Sequence, residues 1–432
     1  MTCLVKRTFD MFSEKNISKL LKIKRLDKNE FMKKVGISSS HFRLIEERRI
    51  KPSKTLTIKI ANVLNCKIED IVNKNENWKI DEVKILYENI NKTLLDKKFL
   101  KQTEEIKNKL KNIKRDCDIM DSKLLSQHER IDYVKHINRN IFRYFDKHFW
   151  EIWKRFQQFD KNNYNLHKIY YQIALYEYLS LDSFNEYIYE KPLGYAGDFI
   201  MMNYLYENDY TGESIFSKLI HRYTCSVPVA RANINRKFYF QQKIKDTFLK
   251  LKNNVDILNV ACGPAVEMLE YIEYENLPEK YNFCFFDMED LALRQIKEKI
   301  NLIERSKNKK VNATYIKGNV LDLIKNKMLL NYLKEKDLIY CAGLIDYISD
   351  KIASKVIEIL FQCLKKNGTL IIGNVSSKNP SRSYMEIMGE WHVNHRNSQR
   401  MLSLANRITE ARSIYVEKEP TTGMNFFLVI RK

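Results

Sequence analysis

From about residue 249 to residue 432 the sequence predicts an α/β fold, a doubly wound parallel sheet of seven strands. Three observations carry that prediction. Short apolar runs alternate with amphipathic stretches, the first run breaks into the turn Ala261-Cys262-Gly263-Pro264-Ala265, and the last two runs are joined by the short loop "EPTTGM".

The elements follow in order. "DILNVA" is the first strand and leads through the turn into a helix that ends at Ile272. "YNFCFFD" precedes a helix from Leu291 to Glu304, "NATYIKG" precedes one from Val320 to Leu333, and "DLIYCAG" precedes one from Ile352 to Leu364. A fifth strand, "GTLIIGNV", is followed by a helical insertion from Tyr384 to Glu410. The final runs, "SIYVEK" and "NFFLVIRK", read as an antiparallel hairpin that closes one edge.

At 432 residues the chain exceeds the usual size of one hydrophobic core, and its 44% hydrophobic content is ample for globular folding. Changes of pattern divide it into 1–73, 74–248 and 249–432. No run approaches the roughly 18 apolar residues of a membrane span, and "MTCLVKRTFDMFSEKN" lacks the core of a signal peptide. A soluble cytoplasmic protein without membrane insertion is therefore expected. The eight cysteines are scattered, with no C-x-x-C and no Cys/His cluster, so no metal is expected. The net charge of +21 is spread along the chain and by itself assigns no nucleic-acid role.

Residues 74–248 read as helical and strongly aromatic, as in "INRNIFRYFDKHFWEIWKRF", with most of the aromatics in a core. "YEKPLGYAGDFIMMNYLY" departs from that pattern. Its glycines, proline, tyrosines and aspartate make an ordered loop suited to binding, or a helix connection in which Asp198 caps the next helix.

Ligands of such sheets bind beyond the carboxyl ends of the strands, beside the first turn. A dinucleotide site would show G-x-G-x-x-G, whereas this turn has one glycine, and no Walker pattern is present. The turn instead resembles motif I of class I S-adenosylmethionine (SAM)-dependent methyltransferases. That resemblance implies a cofactor held by Ala261, Cys262, Gly263 and Pro264. It also places Asp287 and Met288 at the ribose, Asn319 and Val320 at the adenine, and Ala342 and Gly343 of "YCAGLIDYI" opposite the transferable methyl. Asn259 departs from the pattern, standing where many members carry an acid near the cofactor's amino group.

"KPLGYAGDF", "NVACGPAVE", "FDMEDLAL", "YCAGLIDYISD", "GNV" and "YMEIMGEWHVNHR" together resemble a narrower family that includes 3-hydroxypalmitate methyl ester synthases. The implied arrangement is a helical cap domain over the sheet domain, acting on a small-molecule methyl acceptor. Tyr195, Gly197, Arg236, Asn374 and Trp391 would bind substrate, and Tyr347, His395, Arg396 and Asp198 would be catalytic. Trp391 reads equally as core, His395 and Arg396 as a structural pair, and Arg236 as a structural cation. A carboxylate acceptor needs no general base, whereas for an amine or hydroxyl His395 or Asp198 would take the proton.

"KNEFMKKVGISSSHFRLIEERRIKPSKTLTIKIANVLNCKIEDIV" resembles the helix-turn-helix of XRE-type regulators, with helices at Ile17 to Lys24, Lys28 to Val35, Ser38 to Glu47, Leu56 to Leu64 and Ile68 to Val72. The resemblance implies base contacts from Ser39, Ser40 and Arg43 with a DNA operator, phosphate contacts from Arg48, Arg49 and Lys51, and a homodimer. Residues 1–73 carry seventeen basic against eight acidic side chains. A docking module is the alternative. Three functions remain open: carboxylate O-methylation, methylation of a peptide or polar metabolite, and a regulator that senses cofactor or metabolite.

Overall fold

The structure is a computed structural model and describes residues 21, 24, 26–46, 56, 60, 63, 64, 92–123, 126–207, 209–252, 254–277 and 280–432. The expected helix Ile68 to Val72, and Arg48, Arg49 and Lys51, lie outside the described residues. The chain forms two compact units, Met1–Val227 with Ser381–Trp391, and Pro228–Pro380 with His392–Lys432. The helix Pro228–Leu251, which spans the expected boundary at 248/249, groups by its contacts with the second unit.

Near the start of the first unit, helix Lys28–Val35 is capped by Asp27, whose carboxylate accepts from the N–H groups of Asn29 and Glu30. Gly36 ends it at φ 76°, and helix Ser39–Glu46 follows. Phe31 and Phe42 meet edge to face, with ring centroids 5.3 Å apart.

The long helices Lys97–Asp121, Gln127–Phe156 and Lys161–Leu179 come next, then Ser183–Glu190, Phe199–Glu207 and Ile215–Ser226. Ser126 and Glu129 form a reciprocal capping box, and Asp160 and Asp182 cap their helices through backbone N–H groups. The aromatic stretch read from the sequence is core: Phe145, Phe149, Ile152, Trp153 and Phe156 are buried.

His221 and Asp182, both fully buried, form an ion pair at 2.8 Å. Burial disfavours the imidazolium, but the Asp182 charge and hydrogen bond outweigh it and raise the pKa from 6.5 to about 10. A raised cation pKa stabilises the fold fully below the unfolded value, and that stability is lost as pH rises through the folded value. The stability advantage of wild type over His221→Gln, read by urea unfolding, is therefore expected to shrink between pH 6.5 and about 10. An advantage independent of pH over that range would show that His221 is not charged in the fold.

The second unit is built on a sheet of seven strands: β1 (Val255–Val260), β2 (Tyr281–Asp287), β3 (Ala313–Lys317), β4 (Lys336–Cys341), β5 (Leu364–Val375), β6 (Ser413–Lys418) and β7 (Asn425–Arg431). Their spatial order is β3-β2-β1-β4-β5-β7-β6. β1 to β5 pair in parallel, while β7 lies antiparallel to both β5 and β6. β1, β4 and β7 are buried along most of their length; for the parallel strands β1 and β4 this is because helices cover both faces of a parallel sheet, so they read as continuous apolar runs.

Two expected helices are corrected. Val320 to Leu333 is a 3₁₀ turn, Val320–Ile324, and a separate helix, Lys327–Leu333. They part where Asn326 caps the second through the Leu329 N–H. Tyr384 to Glu410 is mostly not helical: a π-helical turn at Ser383–Met388 belongs to the first unit, and helix Ser398–Ser403 to the second. Residues 392–397 lack helix because the backbone of Arg396 is used otherwise, its N–H donating to Val375 O and its carbonyl accepting from Ser377 N–H.

Candidate functional site

The turn after β1 holds three residues in the left-handed region, Ala261 at φ 51°, Gly263 at 53° and Ala265 at 47°. That conformation costs roughly 1–2 kcal/mol for a residue with a Cβ, so its neighbours must enforce it. They do so through hydrogen bonds: Cys262 N–H donates to Phe286 O, Ala265 N–H to Cys262 O, and Gly263 N–H to Asp287 Oδ2 at 2.8 Å. Cys262 and Pro264 are buried between these points.

Asp287 ends β2 beside this turn and is 7% exposed. Its Oδ1 accepts from Glu289 N–H at 2.9 Å. Burial raises its pKa, opposed by the backbone donors of Glu289, Gly263 and Met288. Each carboxylate oxygen carries two lone pairs, so acceptor capacity remains beyond those bonds. Met288 is exposed, as is Asn319, whose side chain accepts from Leu321 N–H and starts the 3₁₀ turn in which Val320 is buried.

Asn259, on β1, donates from Nδ2 to Glu267 Oε1 at 2.9 Å, and the Tyr340 hydroxyl donates to the same oxygen at 2.8 Å. Sequence reasoning missed Glu267, although a glutamate among the apolar residues of the helix start "AVEML" was the available signal. Burial raises its pKa, with its own N–H, Tyr340, Arg236 and Asn259 opposing.

β4 ends at Cys341, and Ala342 and Gly343 follow it. Arg236 donates to Ala342 O and Asn233 Oδ1, each at 3.2 Å. A Cβ on Gly343 would lie 3.1 Å from the Arg236 guanidinium and 3.3 Å from Asp346 Oδ2, so both side chains flank that residue. Asp346, also missed from the sequence, is buried and accepts from Val375 N–H at 2.8 Å. Burial pushes its pKa up to about 7 against that bond and the charges of Arg236 and Arg396. Tyr347, next along, is exposed.

The close approach of β5 to this loop depends on Gly373, where a Cβ would meet Ala342 O at 2.3 Å. Gly373→Ala is expected to displace the Ala342–Gly343 backbone and to cost roughly 1–3 kcal/mol of stability by urea unfolding, the usual price of overpacking. Unchanged stability would show that the loop yields freely.

Arg396 is fully buried and spends its donors on the protein. Nε bonds Asp350 at 2.9 Å, Nη1 bonds Ile345 O at 2.7 Å and Asn374 Oδ1, and Nη2 bonds Ile348 O at 2.8 Å and pairs with Asp350 at 2.8 Å. Asn374 is likewise committed, its Nδ2 donating to Val375 O and Asn394 O. For Arg396 these bonds match its structural alternative, and with Asn374 it ties the segment after β4 to β5. His395 contacts Val393 O at 3.1 Å and the Asn379 side chain at 3.2 Å.

The other candidates lie in the first unit. Tyr195 and Gly197 are half-buried in their loop, and Gly197 takes φ 77°. Asp198 is buried and caps helix Phe199–Glu207 through the N–H groups of Ile200 and Met201, each at 2.9 Å, while its other oxygen accepts from the Tyr187 hydroxyl at 2.9 Å. Trp391 is buried at 8% exposure, its N–H on Met385 O. Among the described residues no group of three His, Cys, Asp or Glu could hold a metal ion, and no helix is long and apolar enough to cross a membrane.

The parallel strands, the antiparallel β7 and the single-glycine turn with an acid at the end of β2 define a class I methyltransferase fold. No family model matches the chain, and no curated protein matches it. Among solved structures it is similar to a possible exported protein from Bordetella parapertussis, at 14% identity and TM-score 0.49, covering 61% of this chain and 88% of that one. It is also similar to magnesium protoporphyrin IX methyltransferase from Synechocystis with bound SAM, at 9% identity and TM-score 0.34, covering 47% and 83%. A TehB-like SAM-dependent methyltransferase from Corynebacterium glutamicum matches at 13% identity and TM-score 0.28, covering 42% and 81%. All three scores are below 0.5, and the fold assignment stands on the strand order of this chain.

Proposed function

We propose that the chain is a SAM-dependent methyltransferase of a small-molecule acceptor, and that the acceptor group is a carboxylate converted to its methyl ester. The observation that supports this is the turn at Gly263 with the Asp287 carboxylate bonded to it. The residues present fit the cofactor. Asp287 keeps acceptor capacity for two neighbouring hydroxyls, the turn has no side chain at Gly263 to bar close approach, and Asn319 and Val320 supply a polar and an apolar edge for a base. When bound, the cofactor supplies an electrophilic methyl on a sulfonium, open to in-line displacement by the acceptor.

The chain's own residues then position the reactants, which can supply much of the rate. The Ala342–Gly343 backbone borders the reacting region, and Arg236 beside it offers a cation that orients a carboxylate. Tyr347 offers a hydroxyl. An ionised carboxylate attacks without losing a proton, whereas an amine or hydroxyl acceptor would draw on Asp346 or His395. Tyr195, Gly197 and Trp391 are assigned to substrate binding. Arg396, Asn374 and Asp198 act in this account by holding their segments in place.

Methylation of a peptide or polar metabolite is the neighbouring alternative. A panel of acids, amines and alcohols with radiolabelled SAM separates the two: label that is lost on mild alkaline hydrolysis marks a methyl ester, and stable label marks the alternative.

A second reading rests on helices Lys28–Val35 and Ser39–Glu46 joined at Gly36, the spacing of a helix-turn-helix. We propose that it binds DNA through Ser39, Ser40 and Arg43 in a homodimeric, self-regulating protein. Retention of duplex DNA that falls steeply with salt and weakens in Arg43→Ala supports this, and no retention at low salt contradicts it.

A further inference from the structure

Among the described residues, no cationic side chain bonds the buried carboxylate of Glu267. It stands in the first turn of helix Val266–Tyr274, beyond the glycine turn, and is 5% exposed. Both side chains that touch its carboxylate, Asn259 and Tyr340, donate to Oε1, which holds the carboxyl as an acceptor. Neither carries charge. Among the described residues no Lys, Arg or His forms an ion pair with it, and Arg236 acts on it only through its field. A buried anion without a cation is costly, a cost that burial expresses as a raised pKa and that a ligand bringing a cation would remove. Its place, beside the first turn at the carboxyl ends of the strands, is where ligands of such sheets bind.

We infer that Glu267, held by Asn259 and Tyr340, is the anionic anchor for the ammonium group of the ligand. This rests on the cofactor reading above, because the amino-acid part of SAM carries such a group. Asn259 then marks a charge that has moved and not one that has been lost. An aspartate at 259 would set two carboxylates within hydrogen-bond distance of each other, and like charges that close cannot both stay ionised. One carboxylate, at either position, satisfies the site.

The test titrates two probes, S-adenosylhomocysteine (SAH), which has the ammonium, and 5′-methylthioadenosine, which lacks it, into the full chain, E267Q and the double variant N259D/E267Q. Wild type is expected to prefer SAH. E267Q is expected to lose roughly 10- to 100-fold of SAH affinity, the worth of one hydrogen bond to a charged group, and to keep its affinity for methylthioadenosine. The double variant is expected to recover the preference. Equal losses for both probes in E267Q, no loss at all, or a folded double variant without the preference would overturn the inference. Should E267Q not fold, the double variant carries the comparison: the preference retained supports the inference and its absence overturns it. Wild type that binds neither probe overturns the cofactor reading itself, whereas wild type that binds both alike overturns this inference alone.

Discussion

Replacing Arg396 with methionine is expected to destabilise the protein by roughly 3–5 kcal/mol, the cost of removing one partner from a buried, fully bonded charge. The guanidinium joins Ile345 O, Ile348 O, Asn374 and Asp350, so its loss removes one donor from each of two backbone carbonyls and two side chains at once. Arg396→Lys is expected to recover little, because one ammonium cannot reproduce the forked geometry. Urea unfolding measures both. A loss below about 1 kcal/mol would contradict the supporting role and return Arg396 to the reacting groups.

Asp287→Ala is expected to weaken SAH binding by roughly 100-fold or more, since the turn loses its acceptor for Gly263 N–H and the ribose loses two charge-assisted bonds of about 1.5–3 kcal/mol each. Asp287→Asn, which keeps the shape and one acceptor oxygen, is expected to lose less. Calorimetric titration of folded variants decides it. A variant of Asp287→Ala that binds SAH as tightly as wild type would sink the ribose assignment.

The sheet was legible because parallel strands buried on both faces read as short apolar runs, and because the turn at Gly263 punctuates the first of them. Seven runs became seven strands, with the final pair antiparallel as "EPTTGM" indicated. The stretch 384–410 was not legible as it stands. Its apolar spacing suits a helix, but the Arg396 backbone bonds β5 and the residues just before it form no helix. Local propensity loses there to tertiary hydrogen bonds.

Within the candidate site the residues expected at the cofactor fall in four short motifs at strand ends, which is why the sequence could name them. Glu267, Asp346 and Arg396 owe their roles to what surrounds them: two are acids lifted by burial, and the third is a cation consumed by carbonyls from a segment about fifty residues earlier. Sequence spacing carries no signal for such partners. For Asp198 the sequence left open a binding role or a helix cap; its oxygens cap helix Phe199–Glu207 and receive the Tyr187 hydroxyl, and only the second of those partners had no signal in the sequence.

The central claim, that this turn holds SAM, is tested most directly by solving the full chain with SAH. The account predicts the ribose hydroxyls on Asp287, the ammonium on Glu267, and the sulfur facing the Gly343 backbone with open space beyond it. No binding at millimolar SAH, or a bound molecule that touches neither Asp287 nor the Gly263 turn, would contradict it.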